Sequence, residues 1–366
     1  MIFKRLWDLL RGTRHDYGLD RQSMWDKVRR HAFTFFHYNS PKKLLNLLAV
    51  FLQGVFRLKK IRGRPFIIKI EPTVRCNLRC HGCVHGTAFP LSNRDMPLEM
   101  FKRICDELGD YLYKISLYII GEPLLCPSLY EMISYASARR IGTVISSNFH
   151  AMDEQKAEQL IRSGLSHLII ALDAMDQGVY EQVRVGGHVE RVLRNIEIFM
   201  RRRSDLGSRL PFVELQTIRN DLTRPQIPRI AEFARRMGID RYTIRDDVQE
   251  FSLKPKNKAC FWLWHTLLIN EDGMVLPCCP AACTPEFMES ELRDFGNIMN
   301  AGAVKVWNSP RYIQARGLFS FRRRHHLRHM DKDAVPICFY CGLFRTPDRI
   351  RDDARLVGLP VPKIFR

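Results

Sequence analysis

Cys76-Asn77-Leu78-Arg79-Cys80-His81-Gly82-Cys83 is the stretch whose reading decides the rest of this chain. Three thiols on one short loop cannot complete a closed four-cysteine site. They can hold three irons of a cubane [4Fe–4S] cluster and leave the fourth iron open. An open iron can bind a small molecule and pass it an electron, whereas a closed site is ordinarily structural or a carrier. Zinc is the alternative occupant. It would need a fourth ligand nearby, and only His81 or His85 could serve.

The loop follows a β-rich run, Phe66–Ile70, that ends at Glu71-Pro72. A helix is expected over Pro97–Leu108, then a strand over Lys114–Ile119 stopped by Gly121-Glu122-Pro123. The alternation continues with a helix over Ser128–Arg139, a strand over Gly142–Ser147 and a helix over Asp153–Ser163. Strands over His167–Leu172, Phe212–Ile218 and Arg241–Ile244 are separated by helices over Val189–Arg202 and Pro225–Met237. Strands alternating with helices of this length argue repeated βα units and a parallel sheet. Six units suit a partial (β/α)6 TIM-type barrel, an α/β fold whose ligands sit at the C-terminal strand ends. The chemistry-bearing loops all fall there: the cysteine loop, Gly121–Pro123, Asn148 and Asp173.

Past residue 255 the alternation stops. Leu267–Leu276, with Asp272-Gly273 at its turn, reads as a hairpin. Around it lie Cys260, Cys278-Cys279 and Cys338-Phe339-Tyr340-Cys341. Three segments are therefore expected: a basic, helical extension over 1–64, the barrel over 65–250, and a cysteine-rich α+β region over 251–366.

The chain has 366 residues, 46% of them hydrophobic and 27% charged, enough for a full core. Eleven cysteines without a secretory signal at the N-terminus imply a reducing, cytoplasmic compartment, where clustered thiols mean metal. The net charge is +19, and residues 1–64 carry 15 Lys/Arg against 4 Asp. That asymmetry points to an anionic partner. The apolar run Leu44–Phe56 is 13 residues long, too short to span a bilayer, and basic residues flank it. It reads either as a helix packed on the enzyme body or as one lying at the inner face of an anionic membrane.

CxxxCxxC at the end of a strand that opens a βα array resembles the radical S-adenosylmethionine (SAM) superfamily, over roughly residues 66–245. The resemblance implies that an open iron chelates the amino and carboxylate groups of SAM. One electron then cleaves SAM to a 5′-deoxyadenosyl radical, which abstracts hydrogen from the substrate. It also implies roles for the other loops. Gly121-Glu122-Pro123 would receive the methionyl amino group, and Asn148 would lie at the ribose. Asp173 belongs to the strand-four segment, and Arg184 would pair with the methionyl carboxylate. Two positions depart from the family pattern: Ala171 replaces a frequent serine, and Gly82 stands where a bulky residue is common.

Cys260, Gly273 and Cys278 resemble the signature of the SPASM and twitch extensions, as do Trp307-Asn308-Ser309-Pro310 and Arg316. With Cys338 and Cys341 these thiols would fully ligate one auxiliary [4Fe–4S] cluster, a twitch-like pattern suited to electron transfer. A zinc site is the alternative, and Cys279 or Cys283 could replace a named ligand. Cys105 and Cys126 read as small buried residues. Arg322–His329 reads as a basic run in a loop with a solvated face.

The resulting expectation is a radical SAM enzyme of oxidoreductase type that performs an oxidation or cross-linking. Its metal ligands would be Cys76, Cys80, Cys83, Cys260, Cys278, Cys338 and Cys341. The substrate would be a polyol, amino sugar or lipid-linked molecule, or a peptide or protein side chain, with flavodoxin or ferredoxin as electron donor. Nucleic acid is not an expected partner of that enzyme. The competing class is a zinc-stabilised basic protein that binds nucleic acid or membrane without catalysis.

Overall fold

A computed structural model describes residues 38–246, 259–342 and 346–360. The first 37 residues of the basic segment lie outside these, as does 247–258, where the boundary expected at 250 falls. The chain enters through α1 (Pro41–Val55) and then alternates: β1 (Ile67–Ile70), α2 (Leu98–Leu108), β2 (Lys114–Leu117), α3 (Leu129–Ala138), β3 (Gly142–Ser147) and α4 (Glu154–Arg162). There follow β4 (His167–Ala171), α5 (Gln177–Val183), α6 (Val189–Asp205), β5 (Phe212–Arg219), α7 (Ile227–Arg236) and β6 (Arg241–Asp246). The strands are rich in Ile, Val and Leu, and their central residues are buried, as parallel strands covered on both faces require. The helices turn one apolar stripe inward; in α6 it is Val189, Val192, Ile196 and Phe199.

The sheet order is β6-β5-β4-β3-β2-β1, all parallel, and it does not end at β1. The first strand of the expected hairpin, β7 (Thr266–Ile269), pairs parallel with β1, so that Ile67 faces Thr266 and Ile70 faces Ile269. Its partner β8 (Val275–Leu276) closes antiparallel on it. Gly273 turns the hairpin at φ +85°, a left-handed conformation that favours glycine. The cysteine-rich region thus begins as a continuation of the barrel sheet. β8 runs back from the barrel mouth, so Cys278, just past it, lies toward the N-terminal ends of β7 and β1.

The C-terminal region is stitched to the segment that follows α1. Trp307 Nε1 donates to Gly63 O at 3.1 Å, and Asn308 exchanges hydrogen bonds with the Ile61 backbone. Arg316 is fully buried between the Trp307 and Tyr312 rings, 4.7 and 4.9 Å from their centroids. It donates to the Leu263, Lys59 and Trp307 carbonyls. Burial lowers its pKa to about 9, which still leaves it charged at neutral pH. The basic run expected as a loop is helical over Arg323–Arg328. Arg323 pairs with Asp353, Leu327 is buried, and the His326 ring bonds the Gln314 carbonyl, so one face of the run has a packing role.

Trp307→Ala should lower unfolding stability by about 3–5 kcal/mol, read as a drop in the urea midpoint. An unchanged midpoint would contradict the stitching role of this ring.

Candidate active site

The cysteine loop has little regular structure of its own and borrows its shape from its neighbours. Arg79 N donates to Val185 O and His81 N to Val183 O, each at 3.0 Å. On the other side Glu122 N donates to Arg75 O at 2.8 Å. Gly82, which departs from the family pattern, sits at φ +76°, where a side chain would be strained. Gly121 has a different necessity. A Cβ there would lie 1.9 Å from Thr73 O and 3.1 Å from Arg75 O, so only glycine lets the β2 loop meet the cysteine loop.

Glu122 is buried, and its carboxylate joins the second loop to the third. It accepts from Ser147 Oγ at 2.7 Å, Asn148 N at 2.7 Å and Leu124 N at 3.1 Å. Burial raises its pKa against these hydrogen bonds. Asn148 passes the link on. Its Nδ2 donates to Asn77 Oδ1 at 2.9 Å and reaches Cys76 Sγ at 3.9 Å, while its Oδ1 accepts from His150 N. Asn148 is thereby committed to holding the cysteine loop. Pro123 is buried in the short turn after Glu122.

Asp173 is fully buried and has both oxygens engaged: Oδ1 accepts from Ile218 N at 2.7 Å and Oδ2 from Arg184 Nε at 2.6 Å. Arg184 in turn reaches Cys80 Sγ through Nη1 at 3.8 Å. Burial works against the guanidinium, but Asp173, Cys80 and Tyr180 outweigh it and hold its pKa above the usual arginine range. Asp173 therefore acts on any ligand through Arg184, as a positioning residue.

Two residues at this end of the barrel carried no sequence signal of a role. Glu71 accepts from Ile120 N at 2.5 Å and Gly121 N at 3.3 Å, and burial raises its carboxyl to about 8. The only hint was its place between a strand and Pro72. His150 donates from Nδ1 to Asn148 O and accepts at Nε2 from His188 N at 2.8 Å, which fixes a neutral ring. Burial lowers its pKa to about 4.

The thiols form two sets. Burial pushes Cys76 up to about 11, with Glu122, Cys80 and Cys83 adding to the rise; burial also raises Cys83, with Cys80 adding. In the second set burial raises Cys260 to about 12, with Cys341 adding. Cys278 and Cys338 are raised well above the thiol range by burial; Cys341, Cys260 and Cys279 add to the rise at Cys278, and Cys278, Cys260 and Cys341 to that at Cys338. A thiol ligates a metal as the thiolate, so metal binding at either set would release protons. Among the described residues no three His, Cys, Asp or Glu are gathered as one metal ion needs. A cubane makes a different demand, since each thiolate ligates its own iron.

Cys279 and Cys283 lie close to both sets: Cys278 feels Cys279, and Cys283 feels Cys279 and Cys83. Lys69 on β1 donates from Nζ to Cys279 Sγ at 3.2 Å and lies over the Tyr118 ring at 4.7 Å. Burial alone would lower the Lys69 pKa, but Cys279, Tyr118 and Glu71 outweigh it and hold the ammonium above its usual range. Burial raises Cys283 to about 11, with Cys279 and Cys83 adding. These groups lie between the two thiol sets.

Residues 70–218 match the sequence model of the radical SAM superfamily, and residues 260–342 match that of SPASM, an iron–sulfur cluster-binding domain. The chain belongs to the radical SAM superfamily. Its C-terminal region is a SPASM domain, and its cofactors are [4Fe–4S] clusters and SAM. A probable GTP 3′,8-cyclase of Methanococcus maripaludis is 29% identical over 178 residues, 48% of this chain and 56% of that protein. This chain thus spans little more than half the length of that relative. A tungsten-containing aldehyde ferredoxin oxidoreductase cofactor-modifying protein of Pyrococcus furiosus is 22% identical over 321 residues, 75% of this chain and 86% of its own length. The crystal structure of Streptococcus suis SuiB bound to its precursor peptide SuiA superposes with a TM-score of 0.57 at 13% identity, over 79% of this chain and 71% of SuiB. That likeness concerns the fold.

Gly121→Ala should weaken SAM binding by at least about tenfold, measured by equilibrium dialysis, because the β2 loop must withdraw from Thr73 O. Unchanged affinity would contradict the close approach. His150, at about 4 against an ordinary 6.5, binds its proton more readily in the unfolded chain. Stability should therefore fall as pH drops from 6.5 toward 4, by at most about 1.4 kcal/mol per pH unit from this group. Urea titrations of wild type and His150→Gln should show the slope reduced in the variant.

Proposed function

We propose that this radical SAM enzyme carries out a net oxidation of a substrate held in the barrel between two clusters. Cys76, Cys80 and Cys83 would hold the SAM-binding cluster, and Cys260, Cys278, Cys338 and Cys341 the auxiliary one. One observation carries the reading. Cys278 neighbours Cys260 and Cys341, and Cys338 neighbours all three, while the adjacent Cys279 meets Lys69 inside the barrel. The fully ligated set thus lies one residue from the space that faces the open set, as electron exchange with a substrate there requires.

When bound, the first cluster and SAM would supply hydrogen-atom abstraction, and the auxiliary cluster would supply an acceptor for the second electron, the accompanying proton leaving to solvent. The residues of this chain bind and orient. Arg184 pairs with the methionyl carboxylate, and Asp173 fixes its guanidinium plane. The backbone at Gly121 and Glu122 meets the methionyl amino group, with Glu71 beneath it. Glu122 and Asn148 keep the cysteine loop seated. Lys69, a buried ammonium with a thiol for its partner, offers a charge to an anionic group of the substrate, and Tyr118 and Trp262 wall it in. This suits a small or lipid-linked polar molecule. The initiating electron would come from a protein of the flavodoxin or ferredoxin kind.

After anaerobic reconstitution the chain should hold about eight iron. Cys80→Ala should lose 5′-deoxyadenosine formation altogether. Cys341→Ala should lose up to about half of the iron and retain part of the cleavage. Full iron content in Cys341→Ala would overturn the auxiliary assignment. Two zinc per chain without SAM cleavage would overturn the enzyme reading.

A further inference from the structure

Helix α1 is built inside out. Its buried stripe is Lys43, Asn46, Val50 and Gly54, spaced along one face. Two of these four are strongly polar, and their bonds tie the helix to the enzyme body. Lys43 Nζ donates to Arg140 O at 2.8 Å, and Asn46 exchanges hydrogen bonds with the Arg64 backbone at 2.7 and 3.0 Å. Val50 packs on Gly63, and Gly54 on Phe261 and Trp264. The opposite face is apolar and exposed: Leu45 at 69%, Leu48 at 55%, Phe51 at 53% and Leu52 at 43%. A surface helix of a soluble protein ordinarily shows the reverse arrangement.

The apolar face continues beyond the helix. Phe56 is 61% exposed and Phe321 is 71% exposed. Arg57 joins the two segments, with its guanidinium 4.7 Å from the Phe321 ring centroid and a hydrogen bond to Phe319 O. So large and continuous an apolar surface marks an interaction site.

Charge selects the occupant. Residues 38–64 contain seven Lys/Arg and no Asp or Glu. Lys59 and Lys60 are exposed at one end of the face, and Arg322 and Arg324 follow Phe321. Residues 1–37 carry eight Lys/Arg against four Asp, so they share the sign of this rim. A second copy of the chain would bring the same positive rim. An apolar face edged by cations complements an anionic lipid surface, whose headgroups meet the cations while its acyl boundary takes the leucines. The helix has 15 residues, and no helix among the described residues is long and apolar enough to cross a membrane. It therefore lies on the surface.

We propose that the outward face of α1, with Phe56 and Phe321, seats this protein in the interface of an anionic phospholipid bilayer.

The test is flotation of the full chain with vesicles of phosphatidylcholine alone or with added phosphatidylglycerol. The wild type should float with the anionic vesicles, and less so as salt is raised. The triple variant Leu45→Glu, Leu48→Glu, Phe51→Glu changes only exposed side chains and should keep the wild-type circular dichroism. Its bound fraction should fall by at least about tenfold. Lys59→Glu with Lys60→Glu should weaken binding to the anionic vesicles alone. The proposal is overturned if the wild type does not float, if it floats equally with neutral vesicles, or if the folded triple variant floats as well as wild type. A wild-type dimer that the triple variant dissolves, seen by light scattering without vesicle binding, would assign the face to a second copy instead. None of these readouts needs iron or SAM, so they succeed or fail independently of the proposed oxidation.

Discussion

The architecture of the active-site end depends on one close contact, the meeting of two backbones at Gly121. A loop that presents three thiols to a cubane needs a rigid mount, and this loop has no helix or strand to provide one. The β2 loop comes within the reach of a single Cβ of Thr73 O, and Glu122 N then bonds Arg75 O. Glu71 holds the Ile120 and Gly121 amides from below. From that contact the constraint spreads. Glu122 grips Ser147 and Asn148, and Asn148 returns to Asn77 and Cys76. On the far side Asp173 aims Arg184 at Cys80, while the backbone at Val183 and Val185 receives the loop amides. The network ties four strand ends into one cradle, so a change at any of them should be felt at the thiols.

Much of this was legible before any coordinates. The six βα units could be read because each strand carries Ile, Val or Leu between turn residues, and β3 spans Gly142–Ser147 as expected. The first cysteine cluster stood out by its CxxxCxxC spacing, and the second by its resemblance to the SPASM and twitch signature. What escaped was pairing between distant segments. Asn148, Glu122 and Asp173 were expected at the cofactor, yet Glu122 bonds the third loop, Asn148 the cysteine loop, and Asp173 the Ile218 amide and Arg184. Nothing local announces that His150 would staple the third loop to His188. The hairpin was recognised, but its parallel pairing with β1 was not, because register between residues 67 and 266 leaves no trace in either segment. That pairing is what brings Cys279 to Lys69.

Burial sorts the polar groups by purpose. Arg316 and Lys43 are charged groups used as struts: each is desolvated, and each recovers part of that cost through hydrogen bonds to backbone carbonyls. Lys69 is different, since its hydrogen bond goes to a thiol in the space between the two thiol sets. Helix α1 inverts the usual distribution, with its polar atoms bonded inward and its leucines outward. Struts, a cation in the barrel and an inverted helix are three uses of one rule, that a buried polar group must be satisfied by the structure around it.

The central claim is that one of two clusters has an open iron and the other does not. Electron paramagnetic resonance of the anaerobically reconstituted, reduced protein, recorded with and without SAM, tests it most directly. Two overlapping [4Fe–4S]⁺ signals are expected, of which SAM shifts one and leaves the other unchanged. A single cluster signal, or two signals that both ignore SAM, would contradict it.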